Sequence, residues 1–173
     1  MSGRGTKRRA ALGSALFFVV APCVVAGVLP WLISGWALSA PDSWLGTLRV
    51  AVGGALVLAG LVVLVRAFIR FVEEGIGTPA PVAPTERLVV GGDYRYVRNP
   101  MYVAVVTIIF GQSLLLGSAA LLLYAAASWL VMAAFVRWHE EPALRRRFGS
   151  EYETYTTCVR AWWPRLRPWS RGA

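Results

Sequence analysis

The chain has 173 residues, of which 57% are hydrophobic, and a formal charge of +9. It is too apolar and too short to read as an ordinary soluble domain, and its apolar blocks are continuous rather than alternating, which excludes a closed barrel. What remains is an all-α polytopic membrane protein.

Arg4, Lys7, Arg8 and Arg9 precede a first apolar block at 11–33. A basic start followed by an apolar run resembles a signal peptide, but the run is longer than the ~7–15 residues of a typical h-region. With Pro22 and Pro30 inside it, the block reads as an uncleaved span, kinked or broken at its prolines. The connection 34–47 carries no basic residue, and Trp31, Trp36 and Trp44 suit an interfacial aromatic belt. The second block, 48–69, holds Ala51, Ala55 and Ala59 at four-residue spacing beside Gly53, Gly54 and Gly60. Small residues of this kind let helices pack closely where lipid supplies no hydrophobic drive. Arg66 and Arg70 mark its end.

Residues 71–90 form a connector rich in Gly and Pro, including Gly75, Gly77, Pro79, Pro81 and Pro84, which breaks helices. No strand precedes its G-x-G, so a dinucleotide-binding fold is excluded. The third and fourth blocks, 101–116 and 119–136, are separated only by Gly117 and Ser118 and predict a tight helical hairpin. The basic residues cluster before block one, between blocks two and three, and after block four. This positive-inside pattern predicts about four transmembrane helices, with both termini on the cytosolic side of the cell (inner) membrane. The basic excess then needs no nucleic acid; membrane lipids with anionic headgroups are the partner it implies. Cys23 in a span and Cys158 in the tail predict no disulfide, and no metal-type cysteine spacing exists.

Two polar runs flank the hairpin. The first, Gly92 to Tyr102, contains Arg98-Asn99-Pro100, with Asn99 as N-cap and Pro100 in the first turn of the third span. A helix N-terminus beside Arg98 favours an anion. The second is His139-Glu140-Glu141-Pro142. At ~1.5 Å per residue, the ascent to Gly117 and the return bring Glu140 and Glu141 level with Arg98 and Tyr102. A cation and a helix N-terminus on one run, two carboxylates on the other, match a zwitterionic ligand. Helical spacing equally permits Glu141 to pair with Arg145 in solvent. After Pro142, Leu144, Phe148, Tyr152, Tyr155 and Val159 recur at helical spacing, a cytosolic amphipathic C-terminal helix that Gly149 breaks in two and that can lie in the interface or fold back over the hairpin. Trp162, Trp163 and Trp169, with Arg165 and Arg167, read as an interfacial anchor.

Arg98-Asn99-Pro100-Met101-Tyr102, the hairpin, Glu140-Glu141-Pro142 and Phe148-Gly149-Ser150-Glu151-Tyr152-x-x-Tyr155 together resemble the integral-membrane methyltransferases. That superfamily comprises isoprenylcysteine carboxyl methyltransferases and phospholipid N-methyltransferases. The resemblance implies binding of S-adenosylmethionine at the cytosolic face, methyl transfer to a lipidic or small hydrophobic acceptor, and release of S-adenosylhomocysteine. It places Arg98, Asn99, Pro100, Tyr102, Glu140 and Glu141 in the cofactor site, with Val90, Gly92 and Tyr94 in the lead-in that encloses the nucleoside. Asn99 where isoprenylcysteine-type members have His, together with Glu140-Glu141-Pro142, resembles the phospholipid branch. The Phe148–Tyr155 run is similar to the other branch, so carboxylate and amine acceptors both stand. Arg98, Glu141 and His139 are the residues assigned to catalysis, with His139 or a glutamate as the base an amine would need. On this reading residues 1–70 carry two spans and 71–173 the catalytic region. The competing class is a non-enzymatic transporter subunit or assembly factor; the sequence does not address oligomeric state.

Overall fold

A computed structural model describes residues 20–38, 40–75 and 87–170. The basic N-terminus, the start of the first apolar block and the Gly/Pro connector with Gly77 lie outside the described residues. Every regular element among those described is helical. They are α1 (Val20–Ser34), α2 (Trp44–Gly75), a 3-10 turn (Gly92–Arg95), α3 (Pro100–Leu116), α4 (Ala119–Phe135) and α5 (Glu141–Cys158). A π-turn, Val136–Glu140, joins α4 to α5 without a break. Trp44–Phe71 and the continuous helix Ala119–Cys158 are long and apolar enough to cross a membrane, and α1 and α3 are shorter apolar helices.

Pro30 does not break α1. The helix passes it through a π-turn, Val24–Val28, in which Leu29 N–H donates to the Val24 carbonyl. Proline has no N–H for the carbonyls four and five residues before it, those of Ala26 and Val25. Gln112 Nε2 of α3 donates to the Ala26 carbonyl at 2.7 Å, and Tyr124 Oη of α4 donates to the Val25 carbonyl at 2.9 Å. The Gln112 oxygen in turn accepts from Trp36 Nε1 at 3.2 Å. Neighbouring helices thus satisfy the backbone groups that proline frees, as an apolar surrounding demands.

The small residues of α2 divide differently from the expectation. Ala51, Ala55 and Ala59 are exposed, whereas Gly53 and Gly60 are buried against α3. A Cβ on Gly53 would meet the Gly111 carbonyl at 2.7 Å, and one on Gly111 would meet the Gly53 carbonyl at 2.8 Å. Backbone touches backbone here, and even alanine is too large. Gly117, in the left-handed conformation at φ 65°, ends α3, and Ser118 Oγ caps α4 by accepting from Leu121 N–H. The Arg49 side chain of α2 lies against Gly117, a cation at the negative end of the α3 dipole.

Gly149 (φ 50°, ψ −127°) bends α5 as its position predicts. The half beyond it buries Tyr152, Tyr155 and Val159 against Leu88, with Val90, Leu144, Phe148 and Trp169 packed around them. Of the three C-terminal tryptophans read as an interfacial anchor, only Trp163 is well exposed, at 73%. Trp169 packs on Tyr155 with ring centroids 5.5 Å apart, and Trp162 packs between Tyr102 and Trp129. The segment folds back over the N-terminus of α3, where burial of these rings outweighs an interfacial position.

Candidate active site

Gly92 begins the loop that supports the site. Its φ of 53° and its contact with the Arg70 side chain both require glycine. The following 3-10 turn buries Tyr94 against Ala67, Val89 and Met101. Arg66 of α2 pairs with Asp93 at 3.2 Å. From below, Tyr155 Oη donates to the Tyr94 carbonyl at 2.6 Å. Val90 packs on the cluster that Tyr155 forms with Leu88, Tyr152 and Val159.

The C-terminal segment then laces down the loop residue by residue. Trp169 N–H donates to the Arg95 carbonyl, Arg165 N–H to the Tyr96 carbonyl, and Arg98 N–H to the Arg160 carbonyl. Arg95 Nε donates to the Trp169 carbonyl at 2.6 Å. Asn99 occupies the N-cap position of α3 and Pro100 its first turn, but the Asn99 side chain does not cap. Its Nδ2 donates to the Ala161 carbonyl at 3.1 Å instead, because the returning segment brings an unpaired carbonyl within reach.

At the N-terminus of α3 two carboxylates arrive from the π-turn and the start of α5. Arg98 Nη1 donates to Glu141 Oε1 at 2.9 Å and to Tyr152 Oη at 3.3 Å. Tyr102 Oη donates to Glu140 Oε1 at 2.5 Å. The hairpin arithmetic therefore brings together the expected residues, and Glu141 takes Arg98 rather than Arg145. Arg145 lies near Glu153 at 3.8 Å, in solvent. The Arg98 and Glu141 side chains are only 15% and 13% exposed, so each neutralises the other out of water.

Two groups at this site have unused capacity. Arg98 Nε–H is buried and has no acceptor, although a guanidinium has five donors to satisfy. Glu140 is hydrogen-bonded to Tyr102, but no Arg or Lys pairs with it among the described residues. Burial holds its carboxyl above the usual carboxylate range, against the opposing pull of the Tyr102 hydrogen bond and of His139. Burial likewise pushes the Tyr155 and Tyr152 hydroxyls up, Arg98 opposing it in both. His139 is exposed, and its ring stacks on Phe135 at 5.1 Å; it makes no hydrogen bond to this cluster.

Sequence reasoning put Tyr152 and Tyr155 on the apolar face of an amphipathic helix and missed their hydroxyls, which fix Arg98 and the Tyr94 carbonyl. It also missed Arg160 and Ala161, and read Trp162 only as an anchor. Nothing in their spacing signals a role, since backbone carbonyls supply most of the contacts.

No match is found among curated proteins. A family model described as phospholipid methyltransferase matches residues 48–151, well over half of the chain, including Arg98, Tyr102, Glu140, Glu141 and the first half of α5. The chain belongs to the phospholipid methyltransferase family, within the integral-membrane S-adenosylmethionine methyltransferase superfamily.

Proposed function

We propose that this protein transfers a methyl group from S-adenosylmethionine to a lipidic or small hydrophobic acceptor at the cytosolic face of the cell membrane. Four spans with both termini cytosolic, the reading that the charge pattern favours, put the Arg98 end of α3 on the side where the cofactor is made. The observation that carries the proposal is the unused capacity at one helix end: a buried Arg98 Nε–H without an acceptor and a half-buried Glu140 that no Arg or Lys pairs with among the described residues. A carboxylate beside an ammonium meets both demands at once.

In this reading Arg98 and the first N–H groups of α3 hold the methionine carboxylate. Glu141 and Tyr152 keep the guanidinium aimed, and Glu140 faces the cationic end. Val90, Gly92 and Tyr94 wall the nucleoside side, while Asn99 and Pro100 hold the helix start in place. Bound there, the cofactor supplies an electrophilic methyl group on a sulfonium. The protein's own task is to align the acceptor and exclude water. An amine acceptor must also lose a proton. Glu140, held above the usual carboxylate range inside the site, is better poised for this than the exposed His139.

A transporter, the competing class, would call for a polar group left free within the spans. Gln112, the most conspicuous polar residue of α3, has both ends of its amide engaged, by Ala26 and Trp36, so it is a structural tie.

Binding of S-adenosylmethionine to the protein in lipid nanodiscs, measured calorimetrically, tests the proposal. Wild type should bind, and Arg98→Ala should lose at least tenfold in affinity, in line with a charge-assisted contact. Equal affinity in wild type and Arg98→Ala would remove this site.

A further inference from the structure

The proposed reading leaves unexplained a row of rings that begins at the site and ends on α4. Tyr102, whose hydroxyl holds Glu140, has its ring centroid 6.5 Å from that of Trp162. Trp162 in turn meets Trp129 of α4 edge-on at 6.1 Å. Trp162 comes from the C-terminal segment, beyond the residues 48–151 that the family model matches. It is held by its neighbours: the Arg160 carbonyl accepts from Arg98 N–H, and the Ala161 carbonyl accepts from Asn99 Nδ2. The indole is therefore placed by the same residues that form the helix start. Trp129 is 41% exposed, so the row is not sealed inside the core.

Electron-rich ring faces next to a carboxyl group attract one chemistry above others. An onium ion that bears methyl groups is weakly hydrated, sheds its water readily and is held by ring quadrupoles together with a nearby negative charge. A carboxylate is repelled by both features. We infer that Tyr102, Trp162, Trp129 and Glu140 form an onium-binding subsite, in which Trp162 is the residue that discriminates a methyl-bearing cation from its neutral counterpart. The inference rests on the methyltransferase reading. Two sources share the required chemistry: the sulfonium of the methyl donor, and an ammonium headgroup on the acceptor.

Titrations in nanodiscs separate the two sources. S-adenosylmethionine and S-adenosylhomocysteine differ by the methyl group and positive charge on sulfur. Choline and 3,3-dimethylbutan-1-ol have the same shape and differ in charge. Wild type should prefer the charged member of at least one pair, and Trp162→Leu should reduce that preference by about tenfold. Trp162→Phe, which keeps a ring, should retain much of it. Loss of the first preference assigns the donor's sulfonium, and loss of the second assigns an acceptor ammonium. Trp129→Leu examines the same wall from α4 and leaves the hydrogen bonds of the C-terminal segment to Arg98 and Asn99 in place, which covers the case of a Trp162 variant that folds poorly. Both preferences intact in Trp162→Leu and Trp129→Leu would overturn the inference. Failure of the wild type to bind either adenosyl compound would instead fall on the methyltransferase reading, while the choline pair still tests the wall.

Discussion

Glu140 and Glu141 are neighbours in the chain with different electrostatic fates. Glu141 is paired with Arg98 and mostly out of water, so Glu141→Gln strands a buried guanidinium. A loss of about 3–5 kcal/mol in unfolding stability is expected, read as a drop in the thermal midpoint in detergent. Glu140→Gln should cost far less, since an amide can still accept from Tyr102. The two also separate by pH. The Glu140 carboxyl titrates higher in the folded protein than in the unfolded chain, so the folded form binds more protons. Its contribution to stability is full below the ordinary carboxylate range and is lost as pH rises through the folded value. The stability of wild type relative to Glu140→Gln should therefore fall as pH is raised from about 4 upward. A difference that stays flat or grows would mean that burial does not dominate at Glu140. The sequence brought both glutamates to Arg98 and Tyr102 by counting helical rise. It did not say which carboxylate met which partner, because that depends on the rotation introduced by the π-turn Val136–Glu140.

Among the helices, the tie between α1 and its neighbours depends on a missing N–H. Gln112→Leu should leave the Ala26 carbonyl unpaired in an apolar setting and cost about 1–3 kcal/mol. Pro30→Ala in the Gln112→Leu background restores a backbone donor and should recover part of that loss. A double-mutant cycle on thermal stability measures the coupling, and strict additivity of the two changes would dismiss the tie. Gly53→Ala should destabilise sharply, whereas Ala55→Gly, on the exposed face, should show only the propensity cost of glycine, about 1 kcal/mol. The apolar blocks, the Gly117 turn and the Gly149 bend were legible because glycine, proline and continuous hydrophobicity act locally. The partition of α2 was not. Alanine and glycine look equivalent in a stripe of small residues until a facing backbone is known to approach within contact of one of them.

The whole molecule is organised around a loop held from two directions, by α2 through Arg66–Asp93 and by the C-terminal segment through Arg95, Tyr96 and Arg98. Its two cysteines are free, with Cys158 exposed at the end of α5 and Cys23 lining the apolar groove of α1. If the Arg98 end faces the cytosol, a membrane-impermeant maleimide should label Cys158 in inside-out vesicles and leave it unmodified in intact cells. Labelling in intact cells would invert the topology and with it the access of a cytosolic cofactor. The expected orientation comes from the basic clusters, since charge placement around spans is a global signal. The tail's true position was hidden, because tryptophan beside arginine describes an interfacial anchor equally well.

The lacing of Arg95, Tyr96 and Arg98 by residues 160–169 also sets an order in time. A helical membrane protein is threaded into the bilayer from its N-terminus as the ribosome elongates it, and domains complete in the order they emerge. The Arg98 loop is made before α3, α4 and α5, yet its partner Trp169 comes 74 residues after Arg95. Until Trp169 has cleared the exit tunnel, the guanidinium can meet Glu141 but the loop that holds it has no second rail. The loop is therefore fixed only after α3, α4 and α5 have been made.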